Sequence, residues 1–96
     1  LVNAFLEYDA LVEKEDFAMD TGTTSNMIIL TKTHIYCANA GDSRSCISNK
    51  GVAKGLSEDH KPGNPIEIAR IKKANHFVED DRVDGNLALS RAFGDF

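Results

Sequence analysis

Apolar residues recur at Leu1, Ala4, Phe5, Tyr8, Leu11 and Val12, while Glu7, Asp9, Glu13 and Lys14 fall outside that stripe. Spacing of three and four predicts an amphipathic helix over residues 1 to about 15. A small polar loop from Asp20 to Thr24 precedes a β-prone run, Met27 to Leu30. Thr31 to His34 reads as a connection and Ile35 to Ala40 resumes an extended pattern, which together give a hairpin signal. Gly41-Asp42 then separates Ile35–Ala40 from Ser43–Ser48, and glycine at the first central position suits a type II′ turn. Antiparallel counting from that turn sets Ala40 against Ser43 and Cys37 against Cys46, which predicts two neighbouring free thiols. A third turn at Asn49, Lys50 and Gly51 leads into Val52 to Leu56, so the centre of the chain predicts a meander of short antiparallel strands.

The pattern changes at Ser57, where residues 58 to 63 read as loop. A helix is expected next. Asn64 is a good N-cap, Pro65 fits the first helical position, Glu67 falls three residues after the cap, and Lys72 and Lys73 oppose the C-terminal dipole. Ile68, Ile71 and Ala74 give this helix a narrow apolar face, and Asn75 suits a left-handed C-cap. Phe77–Val78 and Leu87–Leu89 are two short extended pieces around an acidic turn containing Asp80, Asp81, Asp84 and Gly85. The class is α+β.

With 96 residues the chain holds at most one small domain, and its core is thin unless another segment covers it. Leu1 falls inside a helix already under way, so the chain reads as a piece of a longer protein. Eleven basic residues against fifteen acidic ones leave a net charge of -4, which argues against nonspecific nucleic-acid binding and against anionic membrane surfaces. No apolar run approaches the length of a membrane span. Cys37 and Cys46 make neither a disulfide framework nor a zinc site, so reduced thiols in a cytoplasmic or nuclear protein are expected. A Cys-x5-Arg phosphate loop is excluded, because six residues separate Cys37 from Arg44.

Four strings carry more information than composition does. They are Gly22-Thr23-Thr24, Ala38-Asn39-Ala40-Gly41-Asp42-Ser43-Arg44, Leu56-Ser57 with Asp59-His60-Lys61-Pro62, and the run from Arg82 to Asp95. In this order they resemble the metal-dependent serine/threonine phosphatases of the PP2C type, with Glu67, Arg70 and Ile71 where that family's intervening helix expects them. The resemblance covers nearly the whole chain from Gly22 onward. It implies a fragment of a β-sandwich flanked by helices, to which residues 1–96 contribute central antiparallel strands and residues 62–84 a flap beside the active site. His76 stands where the family has glycine. The family's upstream Asp-Gly-His motif and its downstream metal-binding segments have no counterpart here.

What the resemblance implies chemically is hydrolysis of phosphoserine and phosphothreonine in proteins by a water bridging two Mg2+ or Mn2+ ions. Asp42 matches a carboxylate that reaches a further, weakly held metal, although an aspartate at a turn is ordinarily only a turn former. Arg82 matches an arginine that meets the phosphorylated substrate, against the plainer reading of a surface arginine paired with Asp80, Asp81 or Asp84. Thr24 matches a threonine near the metals, where hydroxyls usually just bond backbone. No catalytic proton donor is expected within the chain, since the family's lies in the missing upstream motif. His60, His76 and Arg44 are read as structural, and Arg91 with Asp95 as a pair that holds its segment. The rival reading is a noncatalytic pseudophosphatase or interaction module that keeps the scaffold. Uncovered strands would also let the piece self-associate.

Overall fold

The computed structural model describes residues 1–96. Helix α1, Val2–Val12, lays Phe5 and Tyr8 against Phe93, with ring centroids 5.0 and 5.1 Å apart, and Asp9 accepts the Gly94 N–H through Oδ1 at 3.1 Å. The helix is therefore tied to the far end of the chain. No residue of α1 is buried, so the rest of its apolar stripe has no cover.

Strands β1 (Gly22–Thr23), β2 (Ser25–Leu30), β3 (Ile35–Ala40), β4 (Cys46–Asn49) and β5 (Val52–Gly55) follow. Then come helix α2 (Pro65–Lys73) and strands β6 (Val78–Glu79), β7 (Arg82–Val83) and β8 (Phe93–Gly94). All pairing is antiparallel and in twos: β2 with β3, β4 with β5, β6 with β7, and β1 with β8. The architecture is mixed helix and strand, in line with the α+β class expected from the sequence.

The meander expected at the centre is not continuous. Strand β3 pairs only with β2, and Gly41-Asp42 does not close a hairpin onto residues 43–48. Cys37 faces Ile28 and Cys46 faces Gly55, so the expected Cys37–Cys46 register is wrong, although both thiols are free. The physical reason is competition. Gly41 gives both of its backbone groups to His60, its carbonyl accepting the His60 N–H at 3.0 Å and its N–H donating to His60 Nδ1 at 3.0 Å. A two-residue hairpin here would draw its ladder bonds from Ser43 and Ser45, and these are taken: Ser43 O accepts Asn26 Nδ2 at 3.2 Å, the Ser45 N–H donates to Ser57 Oγ at 2.9 Å, and Ser45 O accepts the Leu56 N–H at 2.9 Å.

Helix α2 follows its sequence signals closely. Asn64 Oδ1 accepts the Ile66 N–H at 3.0 Å, and Pro65 opens the first turn, where its missing N–H costs nothing. At the other end Asn75 is left-handed with φ 64°, the Asn75 N–H reaches Lys72 O and the His76 N–H reaches Ile71 O, which is the Schellman pattern. Asparagine tolerates this conformation, and His76, one residue later, needs no positive φ. Beyond it, Asp80 and Asp81, at φ 51° and 58°, turn β6 into β7 through a two-residue hairpin of type I′ character.

Apolar burial is slight. Ala18 and Ile71 are the buried hydrophobic residues, while Ile28, Ile29, Leu30, Ile35 and Tyr36 on β2 and β3 are all exposed. The radius of gyration is 15.1 Å, against about 12.5 Å for a self-contained domain of this length. These strands present faces that a further layer would cover. No helix is long and apolar enough to cross a membrane.

Candidate functional site

Two segments distant in sequence, 41–44 and 59–62, are fastened side by side. The reciprocal Gly41–His60 bonds form one end of the seam. At the other, Arg44 grips Asp59 with both prongs of its guanidinium, Nε to Oδ1 at 2.9 Å and Nη2 to Oδ2 at 2.7 Å. Between them Lys61 Nζ donates to Asp42 Oδ2 at 2.5 Å. The bond from that ammonium holds the Asp42 carboxyl below its ordinary range, with burial working the other way. Asp42 is thus ionised and only partly covered.

Gly41 is required by this arrangement. Its φ is 112°, and a Cβ built on it would lie 2.4 Å from Thr24 Cγ2, so any side chain would drive the turn off β2. Thr24 is held in turn by Ser43, hydroxyl to hydroxyl at 2.8 Å. Beneath the turn, Asn26 Nδ2 donates to Asn39 Oδ1 at 2.9 Å and to Ser43 O at 3.2 Å. Asn39 Nδ2 reaches Glu58 O at 2.9 Å, and Ser57 Oγ accepts the Ser45 N–H at 2.9 Å. This polar network explains why β2 begins at Ser25 and Asn26, two residues before the apolar run: these residues serve the turn as well as the ladder.

Helix α2 joins the seam through Glu67, which is 2% exposed. Its carboxylate takes Arg91 Nε and Nη2 at 3.1 and 2.6 Å and Arg70 Nε and Nη2 at 3.1 and 3.0 Å. Burial pushes the Glu67 carboxyl up, but the bonds from Arg91 and then Arg70 outweigh it and bring it down from 4.5 to about 2. Arg70 Nη2 also donates to Ser90 O at 2.5 Å, and the Ser90 N–H donates to His60 O at 2.9 Å. A continuous line of polar contacts therefore runs from α2 through Arg70, Ser90 and His60 to the Asp42 turn. His60 itself is pushed below its ordinary 6.5, chiefly by burial and then by the charge of Arg91. As the acceptor of the Gly41 N–H, its Nδ1 is unprotonated.

The sequence-derived site residues are only partly brought together. Thr24 touches the Asp42 turn. Arg82 sits on β7, in a hairpin whose Asp81 accepts the Gly63 N–H at 2.7 Å, so the hairpin hangs from the loop that carries Lys61. The Arg82 guanidinium donates to Asn86 O at 2.8 Å and pairs with no carboxylate. It is not the partner of Asp80, Asp81 or Asp84, and Asp84 instead takes the Phe77 N–H and His76 Nδ1. The expected Arg91–Asp95 pair is absent. Arg91 belongs to Glu67, and the Asp95 carboxylate lies against Gly22, where a Cβ would meet it at 2.0 Å. Arg44 has the structural role expected of it. Glu67 is the residue sequence reasoning missed, since its position three after the cap reads as a capping carboxylate, whereas the Asn64 N–H goes to Lys61 O.

No group of three or more His, Cys, Asp or Glu side chains is placed to hold a metal ion. The one candidate ligand, Asp42, has an ammonium on one of its oxygens. The residues of this chain do not by themselves fit a metal centre.

Comparison with known proteins places this geometry. The family model described as Protein phosphatase 2C matches residues 1–96. Protein phosphatase 2C homolog 3 of Schizosaccharomyces pombe is 50% identical, and the alignment takes in 100% of this chain and 24% of that protein. Protein phosphatase 2C homolog 2 of the same yeast is 48% identical over 100% of the chain and 27% of its own length. Protein phosphatase 2C homolog 2 of Saccharomyces cerevisiae is 47% identical over 100% of the chain and 22% of its length. The chain spans about a quarter of the length of these relatives. A match that takes in every residue, from the α1 contact with Phe93 to the seam around Asp42, makes the chain a member of the protein phosphatase 2C family.

Proposed function

We propose that the whole protein removes phosphate from phosphoserine and phosphothreonine in other proteins, and that residues 1–96 supply part of its catalytic domain. The observation that carries this reading is the family match over all 96 residues. The geometry supports it. Asp42 is held ionised and partly exposed at a rigid turn, Thr24 lies against that turn, and Arg82 offers a guanidinium with no carboxylate partner. A guanidinium in that condition suits a phosphate ester, which it can grip with two N–H groups.

In this reading Asp42 is the carboxylate this chain lends to a divalent centre of Mg2+ or Mn2+, and its other ligands lie outside residues 1–96. Such ions, when bound, supply positive charge against the phosphoryl oxygens and acidify water. Residues 62–84 form a flap: Pro62 is fully buried as its anchor, α2 is its body and the β6–β7 hairpin its tip. The chain alone is inactive, because a single carboxylate cannot assemble the centre. Free Cys37 and Cys46 fit a reducing cytoplasmic or nuclear setting.

The test is turnover of a phosphothreonine peptide by the full-length protein with Mn2+, with Mg2+, and after chelation. Metal-dependent release of phosphate is expected. A folded full-length protein that binds the peptide and releases no phosphate with either metal would favour the pseudophosphatase instead.

A further inference from the structure

The end of α2 and the base of the β6–β7 hairpin meet on one carboxylate. In the ladder Val78 faces Val83 and Glu79 faces Arg82, and just outside it Phe77 meets Asp84. The Asp84 N–H donates to Phe77 O at 2.9 Å. Asp84 is left-handed, with φ 50°, and the Phe77 N–H goes to its side-chain Oδ1 at 3.1 Å. The second oxygen, Oδ2, takes His76 Nδ1 at 2.7 Å. The Phe77 N–H holds the Asp84 carboxyl below its ordinary range, against burial and with help from His76. An ionised carboxylate only accepts, so Nδ1 carries the proton. The His76 backbone is fixed from the other side, its N–H donating at 3.1 Å to the carbonyl of Ile71, a buried residue. One residue thus ties the helix to the hairpin, by its backbone on one side and its imidazole on the other.

The tip of the hairpin is tied as well, since Asp81 Oδ1 accepts the Gly63 N–H at 2.7 Å. Arg82 sits between the two ties, next to Asp81 and two residues before Asp84, with its guanidinium on Asn86 O. An arginine whose backbone is already held loses less freedom when it grips a phosphate. We propose that His76 is a positioning residue for Arg82: by stapling the base of the β6–β7 hairpin to the end of α2, it holds that guanidinium ready for the phosphorylated substrate. This rests on the reading of Arg82 as the arginine that meets the substrate. Without the imidazole, Asp84 keeps only Phe77, the hairpin base is free to move against α2, and Arg82 must be ordered during binding. The loss falls on substrate affinity and spares the chemical step.

The experiment is turnover of a phosphothreonine peptide by the full-length protein at saturating Mn2+, in a double-mutant cycle of His76→Ala and Arg82→Ala. The imidazole is 56% exposed, so its removal leaves the apolar packing intact. His76→Ala should raise KM roughly two- to fivefold, the factor a partly exposed pair is worth, with a smaller effect on kcat. His76→Asn, whose amide nitrogen can replace Nδ1, should bring KM back near wild type. On the Arg82→Ala background His76→Ala should add nothing, because it acts through that arginine. An equal KM penalty with and without Arg82 would overturn the proposal. So would a KM unchanged by His76→Ala or not recovered by His76→Asn. If Arg82→Ala itself leaves KM unchanged, the reading of Arg82 falls and this inference with it. Should the full-length protein release no phosphate, peptide affinity measured by calorimetry takes the place of KM in the same cycle. His76→Phe keeps a ring and loses the donor, so the cycle survives if His76→Ala does not fold.

Discussion

Replacing Glu67 with glutamine keeps the shape of the side chain and removes only its charge. In the folded protein the carboxylate is 2% exposed and serves both Arg91 and Arg70. A drop from 4.5 to about 2 in its pKa, at 1.36 kcal/mol per unit, comes to roughly 3 kcal/mol of stability at neutral pH. Breaking a buried ion pair commonly costs about 3–5 kcal/mol. Here the two arginine side chains remain 48% and 43% exposed and can rehydrate, so the lower end applies. The expected loss for Glu67→Gln is about 3 kcal/mol at pH 7. The pH dependence follows from the sign of the shift. A carboxyl with a depressed pKa contributes fully above 4.5 and loses its contribution as pH falls from 4.5 toward 2. Wild type and variant should therefore differ most near neutrality and converge on acidification. Urea unfolding of the full-length protein at pH 7, 5, 4 and 3, followed by circular dichroism, measures this. A loss under about 0.5 kcal/mol at pH 7, within the range of an ordinary surface change, would refute the reasoning. So would a gap that stays constant down to pH 3.

Further expectations concern the neighbours of this network. His60 binds fewer protons folded than unfolded, so its contribution is full above pH 6.5 and declines as pH falls below it. His60→Asn, whose amide oxygen can take over from Nδ1, should flatten the stability slope below pH 6.5, and an unchanged slope would count against a neutral His60. Arg82→Ala should raise KM for a phosphopeptide several-fold with a smaller effect on kcat, and unchanged kinetics would remove it from the substrate surface. The 96-residue chain studied alone should self-associate or show weak amide protection, because the β2 and β3 apolar faces are uncovered. A compact, well-protected monomer in sedimentation would contradict that.

Local signals and long-range contacts separate cleanly in what the sequence revealed. Helix α2 was legible from end to end because Asn64, Pro65 and Asn75 act on backbone groups within a few residues of themselves. Strands β2 and β3 were legible from their apolar residues, apart from Ser25 and Asn26, whose pairing with Ala40 and Asn39 no apolar pattern announces. The hairpin expected at Gly41-Asp42 does not form because Ser43 and Ser45, which would have to pair with β3, bond instead to Asn26, Ser57 and Leu56, distant in sequence. The error carried Cys37 and Cys46 with it. Arg91 was assigned to Asp95, close in sequence, when Glu67 takes it across twenty-four residues. Asp42, Thr24 and Arg82 entered only through the resemblance, since an aspartate in a turn or an arginine on a short strand has nothing in its immediate sequence that marks a ligand.

The central claim is that Asp42 serves a phosphatase centre. Its most direct test is phosphopeptide turnover by the full-length protein and its Asp42→Ala variant across a Mn2+ titration. The account predicts a fall in kcat of about tenfold or more, a KM changed far less, and the largest deficit at limiting metal, since charge stabilisation acts mainly in the transition state. An Asp42→Ala enzyme that matches wild type in kcat throughout the titration, limiting metal included, would contradict it.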